Sequence, residues 1–114
     1  MTKTLTIRLY TEEKCFGPGI AQLLERVREH HSLRAAAQSM SMAYSKAWTV
    51  VRACESALGF RLLDYTTGGK NGGGAELTGD GERLLAAYRA YCADVGRHAD
   101  EVFGTYFAPE NWKP

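Results

Sequence analysis

No acidic residue occurs between Glu29 and Glu55. That gap holds Arg34, Lys46 and Arg52, with His30 and His31 at its start. A second acid-free stretch, Tyr65 to Ala75, holds Lys70. The whole chain carries a net charge of only +1, so its charge is sorted rather than abundant. Residues 1–75 sum to +4 and residues 76–114 to −3. A near-neutral chain sorted in this way is able to offer a cationic face to a polyanion.

Other scarcities narrow the class. No apolar run approaches the ~20 residues that span a bilayer, and Met1 to Thr6 lacks the apolar stretch of a signal peptide. A cytoplasmic protein away from membranes is expected. There are three cysteines, Cys15, Cys54 and Cys92, an odd number set far apart. They form no Cys-x-x-Cys pair and no Cys/His cluster at metal-ligand spacing. Reduced thiols are expected, Cys54 and Cys92 on apolar helix faces, with no metal and no cofactor. At 114 residues the chain is expected to form one domain, too short to include a separate effector domain of ordinary size.

Catalytic groupings are also missing. No Ser/His/Asp set, Cys/His set or paired carboxylates stand together. The segment from Gly68 to Gly74 is rich in glycine, but it is not Gly-x-x-x-x-Gly-Lys-Ser/Thr. It also joins two strand-like segments rather than opening a helix, so it does not read as a nucleotide loop. An enzyme is not expected.

What is present is a definite order of elements. Residues 3–10 alternate, with Leu5, Ile7 and Leu9 on one face, which predicts a strand. Thr11 to Gly19 reads as a loop. A first helix follows at about 18–31, with Ile20, Leu23, Leu24 and Val27 on one stripe. Ser32 is placed to cap a short second helix at about 33–39, whose inner face is Leu33, Ala36, Ala37 and Met40. A third helix is predicted over about 43–58, ending at Gly59. Its outer side carries Ser45, Thr49, Arg52 and Ser56, opposite Ala47, Val50, Val51, Cys54 and Leu58. Phe60–Thr66 and Ala75–Leu77 read as the strands of a hairpin, with the strand near 3–10 beside it in a three-stranded sheet. Thr78 is placed to cap a long last helix at about 79–103, and the remainder reads as a tail. In that helix Leu85, Tyr88, Cys92, Val95, Ala99 and Val102 alternate spacings of three and four, an a/d seam.

Strand, three helices, loose hairpin and long helix are the order of a winged helix-turn-helix, a mainly α fold with a small β-sheet. Residues 1–78 would be the DNA-binding domain, 79–104 a dimerisation helix and 105–114 a tail. In such a fold the helix after the tight turn presents its outer face to the major groove of double-stranded DNA. Arg34, Tyr44, Ser45, Lys46, Trp48, Thr49 and Arg52 are the candidate contacts there, although Tyr44 and Trp48 also suit packing. Gly69, Lys70 and Asn71 at the hairpin tip are candidates for the backbone, because bare N–H groups and a lysine suit phosphate. The seam residues Leu85, Tyr88, Cys92, Val95, Ala99 and Val102 are the candidates for a homodimer, which would bind a palindromic operator. The competing expectation is a winged-helix protein-interaction module that does not bind DNA.

The residues also resemble a known family. Ser32 to Leu63 lines up without gaps on the LysR-type helix-turn-helix pattern, with its Ala-Ala pair and its Leu-Gly before the strand. The chain resembles more closely the N-terminal domain of the molybdate-responsive ModE regulators. Ala43-Tyr44-Ser45-Lys46-Ala47-Trp48 is similar to that family's Ser-Tyr-x-x-Ala-Trp, and Thr67 to Thr78 is similar to its glycine-rich wing. Phe16-Gly17-Pro18-Gly19 fits as well. The resemblance implies DNA binding, transcriptional regulation and dimerisation. It does not imply molybdate sensing, because nothing here resembles the oxyanion-binding domains of the full-length regulators. Ala43 departs from the family serine, which removes a phosphate-directed hydroxyl or a cap.

Overall fold

Ile20, Leu23, Leu24 and Val27 bury one stripe of the first helix, α1 (Pro18–His30), against a second and a third. The computed structural model describes residues 1–67 and 73–114. α2 (Leu33–Ser39) buries Leu33, Ala36 and Ala37, and α3 (Tyr44–Leu58) buries Ala47, Val51 and Cys54. The alanines are fully enclosed, as close helix crossing requires. The local signals for these helices act as expected. The Ser32 hydroxyl accepts the Ala35 N–H at 3.1 Å. Gly59 ends α3 in the left-handed region, φ 83°, where a side chain is disfavoured. Between α2 and α3 the chain turns at once, with Met42 N–H donating to the Ala37 carbonyl at 2.9 Å.

The β structure contains the expected hairpin but differs from the expectation at the N-terminal segment. The regular strand in the N-terminal segment is only β1 (Leu9–Tyr10), and it pairs antiparallel with β2 (Lys14–Phe16), inside the stretch read as loop. The hairpin strands β3 (Leu63–Tyr65) and β4 (Ala75–Leu77) form a separate antiparallel pair, in register Leu63 with Leu77 and Tyr65 with Ala75. There are thus two two-stranded sheets among the described residues, not one three-stranded sheet. The reason lies in what residues 3–8 meet. They run beside the last helix: the Tyr88 hydroxyl donates to the Ile7 carbonyl at 2.7 Å, and Lys3 pairs with Asp100. Ile7 and Leu9 pack on the core from there, while Leu5 stays 52% exposed. Alternation alone does not say whether a strand faces a sheet partner or a helix.

The last helix, α4 (Gly79–Tyr106), runs past the expected end and is followed by a short 3-10 turn, Pro109–Asn111. Gly104 does not stop it, because a single glycine costs an exposed helix only about 1 kcal/mol. Thr78 caps it, accepting the Gly81 N–H at 2.9 Å. Gly81 is needed: a Cβ there would lie 2.4 Å from the Leu62 carbonyl oxygen. Leu85 and Tyr88 of α4 are buried, the Tyr88 ring edge-on to Phe16 with centroids 5.1 Å apart. No residue of α4 beyond Tyr88 is buried, and the molecule is drawn out to 62 × 27 × 21 Å. Among the described residues, no helix is long and apolar enough to cross a membrane.

Candidate nucleic-acid interface

The outer face of α3 is built from polar side chains that the core stripe forces outward. Ser45, Lys46, Trp48, Thr49, Arg52 and Ser56 are exposed, and Tyr44 is half-buried. Trp48 is 45% exposed, so it is not a core aromatic. Ser45 and Thr49 lie on the crest, one turn apart, where the Thr49 hydroxyl donates to the Ser45 carbonyl at 2.8 Å. That bond turns the hydroxyl back along the helix.

The two flanks of the crest differ. On the wing side, Ser32, Arg34, Tyr44, Trp48, Tyr65, Thr66 and Gly74 line a groove of about 280 Å³. Arg34 of α2 lies over the Tyr44 ring at 4.2 Å, and Arg52 over the Trp48 ring at 5.5 Å. Such stacking holds a guanidinium in place while its edge remains available to an acceptor. On the other flank Lys46 faces Arg8 and Met42 along a different cavity. Arg34 and Lys46 have no carboxylate partner among the described residues.

Two cations elsewhere, Arg28 and Arg89, are neutralised. Arg89 donates through Nε to Glu25 at 3.0 Å, and Arg28 pairs with Glu82. These bridges join α1 to α4, away from the α3 crest. The Arg89 guanidinium holds the Glu25 carboxyl below the ordinary carboxylate range.

The start of α3 has no side-chain cap, because Ala43 stands at the N-cap position. Its first N–H groups are therefore without a protein side-chain acceptor, and helix N-termini of this kind attract anions.

Sequence reasoning missed two contributors. Glu55 is only 6% exposed, and its carboxylate accepts the Leu62 N–H at 2.7 Å and the Leu63 N–H at 3.2 Å. It fastens the first wing strand to α3. Its position at the end of the acid-free stretch was visible, but its burial was not. Tyr65 closes the groove behind Trp48, and its hydroxyl is buried with no hydrogen-bond partner among the described residues. Burial first, and then the nearby Glu55 charge, push that phenol above its ordinary range.

The wing candidates Gly69, Lys70 and Asn71 lie outside the described residues. The base of the wing is described: Thr66 N–H donates to the Gly74 carbonyl at 2.9 Å, and Ala75 N–H to the His31 carbonyl at 2.9 Å. His31 itself ends α1 in the left-handed region, and its ring nitrogen lies 2.9 Å from Glu76. Of the seam candidates, Leu85 and Tyr88 are enclosed in the protomer's own core. Cys92, Val95, Ala99 and Val102 are half-buried. Among the described residues, no group of three or more His, Cys, Asp or Glu is placed to hold a metal.

The comparisons with known proteins agree with this architecture. The molybdenum-pterin-binding protein MopB of Rhodobacter capsulatus is 40% identical over 75 residues, covering 66% of this chain and 28% of that protein. The transcriptional regulator ModE of Haemophilus influenzae is 37% identical over 84 residues, 74% of this chain and 32% of that one. The DNA-binding transcriptional dual regulator ModE of Escherichia coli is 30% identical over 89 residues, 77% and 34%. The chain thus spans about a third of the length of these curated relatives. Among solved structures, the CbnR DNA-binding domain in complex with DNA superposes with a TM-score of 0.58 at 24% identity, covering 77% of this chain and 95% of that one. That likeness bears on the fold, which is a winged helix-turn-helix with a long C-terminal helix. Residues 21–82 match the model of the bacterial regulatory helix-turn-helix proteins of the lysR family, and the chain belongs to that family.

Proposed function

We propose that this chain binds double-stranded DNA as the DNA-reading part of a bacterial transcriptional regulator, acting as a homodimer in the cytoplasm and without catalysis of its own. The observation that carries the reading is the α3 crest. Ser45, Trp48, Thr49 and Arg52 stand exposed on a helix whose first eleven residues fall in the sequence stretch without acids between Glu29 and Glu55. The neighbouring solved structure is a DNA-binding domain in complex with DNA, and the ModE relatives are named transcriptional regulators, which supports the same assignment. In this reading residues 1–78 bind DNA, 79–104 pair two protomers and 105–114 form a tail.

The contacts divide by chemistry. Arg34, Lys46 and the wing residues Gly69, Lys70 and Asn71 meet phosphates, together with the uncapped first turn of α3. Ser45, Thr49 and Arg52 reach base edges from the crest. Tyr44 holds Arg34 in place, and Trp48 offers an apolar face beside Arg52. Cys92, Val95, Ala99 and Val102 are the pairing face of α4, with Leu85 and Tyr88 supporting it from inside. The pairing sets two recognition helices about one DNA turn apart, ~34–36 Å, on a palindromic operator.

The test is binding to random duplex DNA at two salt concentrations, followed by selection of preferred duplexes from a random pool. Electrostatic binding falls steeply with added salt, and selection then yields a palindrome. No binding at low salt would leave the protein-interaction reading in its place.

A further inference from the structure

Cys15 sits on β2 and Cys54 on α3, far apart in sequence, yet both line one cavity of about 440 Å³. The two elements pack directly on each other. Cys54 is buried in the core, whereas Cys15 is half-exposed at its edge. Arg8 and Lys46 line the same cavity. Burial pushes the Cys54 thiol up to about 12, and the adjacent Cys15 and then Glu55 add to the rise. Cys54 therefore keeps its proton and does not initiate thiolate chemistry. Reactive cysteines are at least partly exposed, and of the two only Cys15 is. Cys92 lies on α4 and is not among the residues lining this cavity.

We propose that Cys15 and Cys54 are a redox pair that closes to an intramolecular disulfide when the protein meets a peroxide, fastening β2 to α3. The Cys15 thiolate attacks one peroxide oxygen, the O–O bond breaks, and hydroxide leaves, giving Cys15 sulfenic acid. The Cys54 sulfur then attacks the Cys15 sulfur. Its proton departs with the displaced hydroxyl as water, and the S–S bond forms. Two thiols are oxidised and one peroxide is reduced to two waters. The inference does not depend on DNA binding, and its test involves no DNA.

The test treats the whole chain with stoichiometric hydrogen peroxide, removes the excess with catalase, and alkylates under denaturing conditions. Peptide mass spectrometry without reduction then reads the linkage. The expected product is a Cys15–Cys54 linked peptide pair, with Cys92 alkylated, reversed by dithiothreitol and formed equally in the Cys92→Ser variant. Recovery of three alkylated cysteines overturns the proposal. So does Cys15 sulfinic acid with free Cys54, or a bridge to Cys92 or between chains. In the Cys54→Ala variant, with folding checked by circular dichroism, Cys15 is expected to be trapped by dimedone as the sulfenic acid. A folded variant without the adduct overturns the order of steps. If that variant does not fold, the linkage in the native protein decides alone.

Discussion

A single oxygen of Glu55 accepts the backbone N–H of Leu62 at 2.7 Å, the shortest of the bonds that tie the wing to α3. The same oxygen accepts the Leu63 N–H and lies 3.4 Å from Arg61 Nε, and the other lies 3.5 Å from Arg52. Both N–H groups are buried, so water does not replace the carboxylate if it is lost. Glu55→Ala is expected to cost about 2–4 kcal/mol, since it orphans two buried donors and two arginines. Glu55→Gln keeps an acceptor and is expected to cost about 1–2 kcal/mol. Urea denaturation midpoints at constant slope check both. A loss below the error of extrapolation in Glu55→Ala would show that the strand is held by the hairpin alone.

The Glu25–Arg89 bridge gives a pH signature. Its carboxyl is held below the ordinary value of 4.5, mainly by the hydrogen bond from Arg89. A carboxyl depressed in the folded state stabilises it above the unfolded value and loses that contribution as pH falls through the folded value. The difference in stability between the native protein and Glu25→Gln is therefore expected to be constant near neutrality and to shrink below pH 4.5. Both partners are partly exposed, so the neutral-pH difference is small, about 1 kcal/mol or less. A difference that grows on acidification would contradict the assignment.

Ala43 leaves the first turn of α3 without a side-chain acceptor. Ala43→Ser is expected to stabilise the free protein by about 0.5–1 kcal/mol, by accepting an N–H two or three residues on. Thermal unfolding reads it directly. No gain would mean that the serine hydroxyl turns outward from this position.

The helices were legible because their signals are local. Ser32, Gly59 and Thr78 each act where their chemistry predicts, and the apolar stripe of α1 is buried as its spacing requires. The hairpin of β3 and β4 was legible, but the partner of the N-terminal segment was not, because strand partners are chosen by tertiary packing. Leu5, Ile7 and Leu9 alternate like a sheet strand, but α4 passes beside them and takes the Ile7 carbonyl through Tyr88. The crest of α3 followed from periodicity, and Ser45, Thr49 and Arg52 are exposed there as it predicts. Trp48 was ambiguous because a tryptophan at the margin of an apolar stripe suits either side. Glu55 and Tyr65 were missed because the groups they meet, two backbone amides and the groove behind Trp48, are brought near only by the folded wing.

The proposed DNA contacts separate by what each substitution is expected to change. Arg34→Ala removes a charge without a carboxylate partner among the described residues, stacked on Tyr44 at 4.2 Å. It is expected to weaken binding to all duplexes alike and to lower the salt slope by about one. Lys46→Ala and Lys70→Ala are expected to do the same. Thr49→Ala and Arg52→Ala are expected to change the preferred base at one position, at about 1–3 kcal/mol against the preferred site. Arg52 also pairs with Glu55, so its variant needs a stability control. Fluorescence anisotropy over a salt series, with preferred and scrambled duplexes, measures each effect. If Arg34→Ala altered sequence preference and Thr49→Ala altered only the salt slope, the division of roles would be reversed.

Dimerisation is expected from what α4 leaves uncovered. Its last buried residue is Tyr88, while the helix continues to Tyr106, ~27 Å further along at the ordinary rise. The N-terminal segment covers part of this length: Lys3 reaches Asp100 and stands 5.3 Å from the centre of the Phe103 ring. Along the rest, Cys92, Val95, Ala99 and Val102 keep only partial cover, and Tyr91 is 55% exposed. A stripe of this kind on a projecting helix is rare in monomers, and its three-four spacing suits a second helix better than a globular partner. Ala99 and Gly96 make the contact shallow, so the N-terminal segment is expected to contribute to the interface. Sedimentation at micromolar concentration is expected to give twice the 12.6 kDa of one chain. Val95→Asp places a charge in the stripe and is expected to return the protein to 12.6 kDa without unfolding it, since Val95 lies outside the buried core. It is also expected to abolish preference for a palindrome over a half-site while leaving half-site binding intact. A native protein that sediments as one chain at every concentration, and binds half-sites and palindromes with equal affinity per site, would end the dimer proposal.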